Sequence, residues 1–102
     1  MPNFGNSFSG LANDRKLTEQ ELIRAIRFAV SAEYEAIQVY MQLSESTDNK
    51  LAKAVLKSVS DEERVHAGEF LRLLEALAPD EAKLYKDGAH EVETEIETLK
   101  KK

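Results

Sequence analysis

Asp61-Glu-Glu-Arg-Val-His-Ala-Gly-Glu-Phe70 contains a carboxylate and an imidazole, Glu63 and His66, that are one helical turn apart. The apolar residues around them recur at spacings of three and four. On a helix, residues three and four apart lie on one face. The apolar series comprises Ala52, Val55, Leu56, Val59, Phe70, Leu73 and Leu77. The pattern therefore predicts that Glu63 and His66 lie on the buried face of a long helix.

A second carboxylate, Glu33, occupies the same kind of position on an earlier segment. The apolar residues that flank it at helical spacing are Leu22, Ile26, Ala29, Ile37 and Tyr40. Burying an uncompensated ion costs several kcal/mol. Three ionisable groups on two buried faces need a counter-charge, and a metal ion is the simplest source of one.

The composition limits the classes of protein and of site. The chain has 102 residues, 42% apolar and 32% charged, which suits one soluble helical domain. It has no apolar run long enough to span a membrane, and residues 1–8 lack the pattern of a secretory signal. Cysteine is absent, which excludes thiolate and iron–sulfur sites, so any metal must be bound by oxygen and nitrogen. A net charge of −5 without a basic stripe makes nucleic acid an unfavourable partner.

The chain divides into an N-terminal arm and one helical domain. Residues 1–16 are rich in Asn, Gly and Ser and show no period, so we expect a flexible arm before a domain at 17–102. Thr18 and Glu21 form a capping-box pattern that predicts the start of the first helix, which extends to about Leu43. A short polar connection follows, with Thr47 or Asp48 expected to cap the second helix.

The second helix is predicted from about Lys50 to Leu77, where Pro79 ends it. A short helix at 80–85, a stop near Asp87-Gly88 and a third helix at 89–99 are expected after it. The third helix offers a narrow apolar edge, formed by Val92, Ile96 and Leu99. We expect it to dock on a partner or to extend outward. The fold class is thus all-α, an antiparallel two-helix hairpin plus a shorter C-terminal helix.

Two helices make half of a four-helix bundle, so we expect a two-fold homodimer. In carboxylate-bridged di-iron proteins, two helices each give a Glu and the other two each give a Glu-x-x-His. Glu33, Glu63 and His66 form half of that set. In a dimer, four carboxylates would balance the charge of two ferrous ions. These ligands suit iron or manganese, and zinc could also bind.

Three further side chains are candidates at the edge of this site. Tyr40 lies two turns beyond Glu33 and could donate a hydrogen bond to a ligand, although a structural core tyrosine fits the same pattern. At about 100° per residue, Glu35 and Glu62 fall outside the buried stripes. A secondary metal role and a solvated or interface role are both open for them. His90, in an acidic segment, is expected to be an ordinary surface histidine.

The segments 32–40 and 61–70 resemble the ferritin-like superfamily. Within it they resemble the encapsulated ferritins, half-ferritins that are the cargo of encapsulin nanocompartments. The resemblance covers about residues 17 to 99. Members fused to the shell protein look most similar in length and sequence. Family members usually carry a C-terminal targeting peptide or continue into the shell protein, whereas this chain ends in Lys100-Lys101-Lys102.

The resemblance implies a ferroxidase. Ferrous iron would be oxidised by dioxygen at a di-iron centre between two subunits, with Glu33, Glu63 and His66 as ligands. Dimers would assemble into a ring, commonly a decamer, inside an encapsulin shell in the cytoplasm, where the product would be stored. Tyr40 matches a tyrosine near the centre. Glu35 matches an acid at an iron-access site, although Ala32 replaces the second acid of that site.

Two other functions remain open from the sequence. A rubrerythrin-like peroxide reductase could use the same ligands, but without cysteine it would need an external electron donor. A helical dimerisation module without enzymatic activity would carry the same apolar stripes. A DNA-protecting ferritin relative is disfavoured by the negative net charge.

Overall fold

The computed structural model describes residues 15–102 and shows three helices. Helix α1 spans Glu19–Glu45, α2 spans Lys50–Leu77 and α3 spans Pro79–Lys100. Between 15 and 102 there is no strand. The predicted all-α hairpin with a shorter third helix is therefore confirmed. The predicted arm lies outside the described residues except for its last two positions, 15 and 16.

The N-terminus of α1 is fixed by the predicted capping box. Thr18 Oγ1 accepts a hydrogen bond from the Glu21 amide at 3.2 Å, and the Glu21 carboxylate accepts one from the Thr18 amide at 2.9 Å. Arg15 also donates twice to the Glu21 carboxylate, each time at 2.7 Å. These hydrogen bonds lower the pKa of Glu21 from 4.5 to about 2, mainly through Arg15. The start of α1 is thus held by charge as well as by capping.

The turn between α1 and α2 uses a different cap from the predicted one. Asn49 Oδ1 accepts the Ala52 amide at 3.0 Å and is the N-cap of α2. Thr47 Oγ1 instead accepts from the Asn49 amide at 3.1 Å, so the expectation of a Thr47 or Asp48 cap was wrong. All three residue types cap helices well, so composition alone could not choose between them. Lys53 Nζ closes the turn by donating to the Ser44 carbonyl at 2.8 Å.

The hairpin core lies between α1 and α2, which share most of the contacts between helices. Its buried apolar residues are Ile23, Val30, Ala67 and Leu74. This core is rotated relative to the predicted stripes, because Val55 is 51% exposed and Leu73 is 42% exposed. When an apolar band on a helix is wider than the surface that one neighbouring helix covers, the outer part of the band stays exposed. Part of the predicted buried face is therefore an uncovered face of the hairpin.

Helix α3 is continuous, which corrects the predicted break. Ala78 separates α2 from α3, and Pro79 occupies the first helical turn, where its missing N–H costs nothing. The expected short helix at 80–85 and the stop at Asp87-Gly88 are not found. A glycine inside a helix costs only about 1 kcal/mol relative to Ala. That cost does not outweigh the stability of the helix on both sides of Gly88.

Helix α3 projects from the hairpin with no buried residue of its own. The Cα radius of gyration is 17.9 Å, larger than the roughly 13 Å of a compact chain of about this length. Its apolar edge is largely uncovered, with Val92 59% and Leu99 65% exposed. None of the described helices is both long and apolar enough to cross a membrane.

Candidate metal centre

Helices α1 and α2 bring Glu33, Glu63 and His66 together near the middle of the hairpin. One ligand atom from each lies within 4.8 Å of the other two. His66 Nδ1 is 3.7 Å from Glu63 Oε2 and 3.9 Å from Glu33 Oε2. Residues far apart in sequence thus meet because the two long helices pack side by side. The arrangement presents two carboxylates and one imidazole to a common point.

The two carboxylates are largely removed from water without adequate compensation. The Glu33 and Glu63 side chains are 17% and 19% exposed. Glu33 Oε2 is buried and accepts no hydrogen bond among residues 15–102. A buried charged oxygen without a partner is strongly destabilising. The donor set therefore fits a cation placed between the three side chains.

The basic residues nearest in sequence to Glu63 do not supply that compensation. Lys57 donates to Asp61 at 2.7 Å, and this hydrogen bond lowers the pKa of Asp61. Arg64 donates to Asp61 at 2.7 Å and to Ser60 Oγ at 3.2 Å. Within the described part of the chain, His66 is the one basic side chain with a nitrogen within 4 Å of a Glu63 carboxylate oxygen. The local positive charge is thus already paired elsewhere.

His66 lies at the rim of the cluster and not in the core of the hairpin. Its side chain is 49% exposed, although the spacing pattern predicted burial. The imidazole Nδ1 lies within 4 Å of both carboxylates, while about half of the side chain is exposed to solvent. The three groups therefore line an open side of the protein that another molecule can cover.

A cleft of about 270 Å³ opens beside the cluster, lined by Glu33, His66, Glu69 and Phe70. Glu69 was not among the candidate residues selected from the sequence. The signal was its position one turn beyond His66, since residues three apart on a helix are neighbours.

The other candidate residues lie outside the three-residue cluster. Glu35 and Glu62 are exposed, and Tyr40 is half-buried farther along α1. Their secondary roles stay predictions. His90 is exposed on α3, as expected of a surface histidine.

Comparison with known proteins agrees with this geometry. The Rubrerythrin family profile matches residues 25–102. The encapsulin nanocompartment cargo protein EncC of Myxococcus xanthus is 46% identical over 76% of this chain and 58% of its own length. A ferritin-like–encapsulin shell fusion protein of Pyrococcus furiosus is 35% identical over 78% of this chain and 23% of its own. The chain thus spans less than two thirds of the length of either relative.

Comparison of three-dimensional structures gives the same result. A crystal structure of the encapsulated ferritin domain from Pyrococcus furiosus is similar to this chain with a TM-score of 0.77 and 34% identity. The similarity covers 79% of this chain and 83% of that one. The family match at residues 25–102 includes the positions of both glutamates and the histidine. The chain therefore belongs to the rubrerythrin family of ferritin-like proteins.

Proposed function

We propose that this protein is a ferroxidase, in which Glu33, Glu63 and His66 bind ferrous iron for oxidation by dioxygen. The observation that carries the proposal is the buried, unpartnered Glu33 Oε2 beside a second carboxylate and an imidazole. Carboxylate and imidazole ligands suit iron. Anionic oxygen ligands also stabilise a trication more than a dication, because the Coulomb term grows with charge. The residues thus favour the oxidised product over the substrate.

Two copies of the chain would complete the centre. One copy supplies two carboxylates, and a symmetric pair would supply four, together with two imidazoles. That is the ligand set of a di-iron site in a four-helix bundle. Each ferrous ion would lose one electron, and dioxygen would accept the electrons together with protons. Without a second copy, His66 remains half open to water.

The exposed side of the hairpin suits such a partner. At about 100° per residue, Val55, His66 and Leu73 project from α2 within about 20° of one another. Leu43, near the end of α1, is 50% exposed and is taken as part of the same proposed surface. These four residues form what we call the docking face. Covering them would remove apolar surface from water at the same place where it encloses the metal ligands.

We further infer a role in iron storage inside an encapsulin shell. The support is the similarity to EncC, which is named an encapsulin nanocompartment cargo protein, and to a ferritin-like–encapsulin shell fusion protein. A ring of dimers, with a decamer as the expected size, is the proposed assembly. The proposed location is the cytoplasm, within the nanocompartment.

Aerobic ferrous oxidation followed by absorbance tests the reaction. We expect fast oxidation by the wild-type protein and near-background rates for His66→Ala. His90→Ala is the matched control, because His90 is an exposed histidine away from the cluster. Equal background rates in all three proteins would refute the ferroxidase. Oxidation that requires added peroxide would instead favour the peroxide reductase.

The assembly is tested with two matched valines on α2. Val55 belongs to the docking face, whereas Val65 is 64% exposed about 100° from His66 around the helix. Val55→Glu should keep the protein monomeric in native mass spectrometry when iron is added, and Val65→Glu should pair like wild type. Cation binding that needs two chains stabilises only the pair. A wild-type mass that stays monomeric with iron would contradict the shared site.

A further inference from the structure

The cleft beside the metal cluster contains one charged side chain that the proposed function does not use. Glu69 lines this cleft together with Glu33, His66 and Phe70. It is exposed and lies three residues beyond His66 on α2. It is outside the group of three ligand atoms that lie within 4.8 Å of one another. Glu69 is therefore close to the site without being one of its inner ligands.

The carboxylate of Glu69 is available to a cation from solution. Across residues 15–102, no ion pair or hydrogen bond to it is found. The cleft it lines leads to Glu33, whose buried Oε2 has no partner. An exposed carboxylate and a largely buried one thus line the same cleft, together with His66 and Phe70.

The position of Glu69 on the helix keeps this carboxylate accessible in a dimer. At about 100° per residue, Glu69 lies about 60° around α2 from His66, on the side away from the hairpin core. That places it on the flank of the docking face. A second copy seated on the docking face would enclose His66 and leave Glu69 at the rim of the interface.

We propose that Glu69 is the outer carboxylate that captures a divalent cation and passes it through the cleft to Glu33 and His66. The inference rests on the proposed function, since it takes the three-residue cluster to be the destination. A negative charge at the mouth of a weakly polarisable cleft raises the local concentration of cations and their association rate. The effect is electrostatic, so it falls as salt screens the charge. Glu69 thus controls how fast a cation arrives and not how many are held.

The test is the association rate of Co²⁺, a redox-stable probe in air on this time scale, followed by stopped-flow absorbance. Glu69→Gln removes the charge and keeps the shape of the side chain. Glu45→Gln is the matched control, because Glu45 is exposed at the end of α1 and lines no part of the cleft. Equilibrium titration gives the Co²⁺ stoichiometry of each protein. Ferrous oxidation at limiting and saturating iron is measured in parallel.

We expect Glu69→Gln to slow Co²⁺ association by about threefold or more at low salt, and the difference to shrink at about 0.5 M salt. The Co²⁺ stoichiometry should equal that of wild type, and oxidation should slow only at limiting iron. Glu45→Gln should behave as wild type. An unchanged rate for Glu69→Gln, or an equal decrease in Glu45→Gln, would overturn the proposal. A lower stoichiometry would also overturn it, since Glu69 would then be an inner ligand.

The two proposals fail in distinguishable ways. Wild-type protein that binds Co²⁺ with a Glu69-dependent rate but does not oxidise iron would refute the ferroxidase and keep the capture role. Wild-type oxidation with no effect of Glu69→Gln on either metal would keep the ferroxidase and refute the capture role.

Discussion

Arg27 in α1 donates hydrogen bonds from Nε and Nη2 to the carboxylate of Glu81 in α3. The two Nε distances are 3.1 and 3.2 Å. Tyr85 donates its hydroxyl to the same carboxylate. The guanidinium holds the pKa of Glu81 below its usual value, and hydrogen bonding to this carboxylate raises the pKa of Tyr85. Since α3 has no buried residue, we expect this contact to help set its direction.

Removing the charge of Glu81 should loosen α3. We expect Glu81→Gln to lower the free energy of unfolding by up to about 1 kcal/mol, the upper range for a partly exposed ion pair. Asp87→Asn is the control, since it removes only the exposed pair with Lys83 at 3.7 Å. Hydrogen exchange should accelerate along α3 in Glu81→Gln and stay unchanged in Asp87→Asn. Equal exchange in both variants would show that the Arg27 contact does not hold α3.

The buried oxygen of Glu33 leads to opposite expectations for the stability of the metal-free and the metal-loaded protein. Glu33→Leu should leave the metal-free protein as stable as wild type or up to about 2 kcal/mol more stable, because it removes an uncompensated buried charge. It should abolish the rise in melting temperature that Co²⁺ gives the wild type. Thermal unfolding with chelator and with Co²⁺ measures both effects.

Glu45→Leu is the control for this pair of measurements, because Glu45 is exposed. It should keep the response to Co²⁺. A Glu33→Leu protein that Co²⁺ still stabilises by the wild-type amount would remove Glu33 from the ligand set. A metal-free variant that is much less stable than wild type would mean that Glu33 has a compensating partner in solution.

Sequence periodicity assigned Glu33, Glu63 and His66 to inward helix faces, and the structure brings the three side chains together. Their role as metal ligands stays a prediction. A period of three and four assigns a residue to a face of the helix, and ligands from two helices meet when those faces meet. The same period could not separate the hairpin core from the docking face, because the two are adjacent parts of one broad apolar band. Val55 was therefore predicted to be buried and is half exposed. Glu69 was missed because it lies beside the apolar series and not in it.

The unbroken α3 shows the limit of turn signals. Asp87-Gly88 is typical of a turn, yet a helix continues through it, because continuing a formed helix is easier than nucleating a new one. Space around Gly88 is open, with no atom beyond the neighbouring residues and the local helical backbone within 4 Å of an added Cβ. Gly88→Ala should therefore raise the free energy of unfolding by about 0.5 to 1 kcal/mol. Denaturant unfolding of the metal-free protein measures this, and a loss of stability would indicate that α3 is not helical at Gly88 in solution.

The capping box of α1 predicts a pH dependence with a definite sign. The pKa of Glu21 is lowered from 4.5 to about 2 by Arg15 and the Thr18 amide, so the folded protein favours the ionised carboxylate. A group of this kind adds stability at pH values above its unfolded pKa. That contribution is lost as the pH falls from 4.5 through about 2. Glu21→Gln should thus be less stable than wild type at pH 7, and the two should converge near pH 2.

Urea unfolding of both proteins across this pH range tests the sign. Arg15→Gln is the companion variant, because it removes the largest cause of the lowered pKa while leaving the Thr18 hydrogen bonds in place. It should shift the loss of stability to a higher pH, since Glu21 would then protonate more readily. A difference between wild type and Glu21→Gln that is constant from pH 7 to pH 2 would show that Glu21 contributes through its shape and not through its charge.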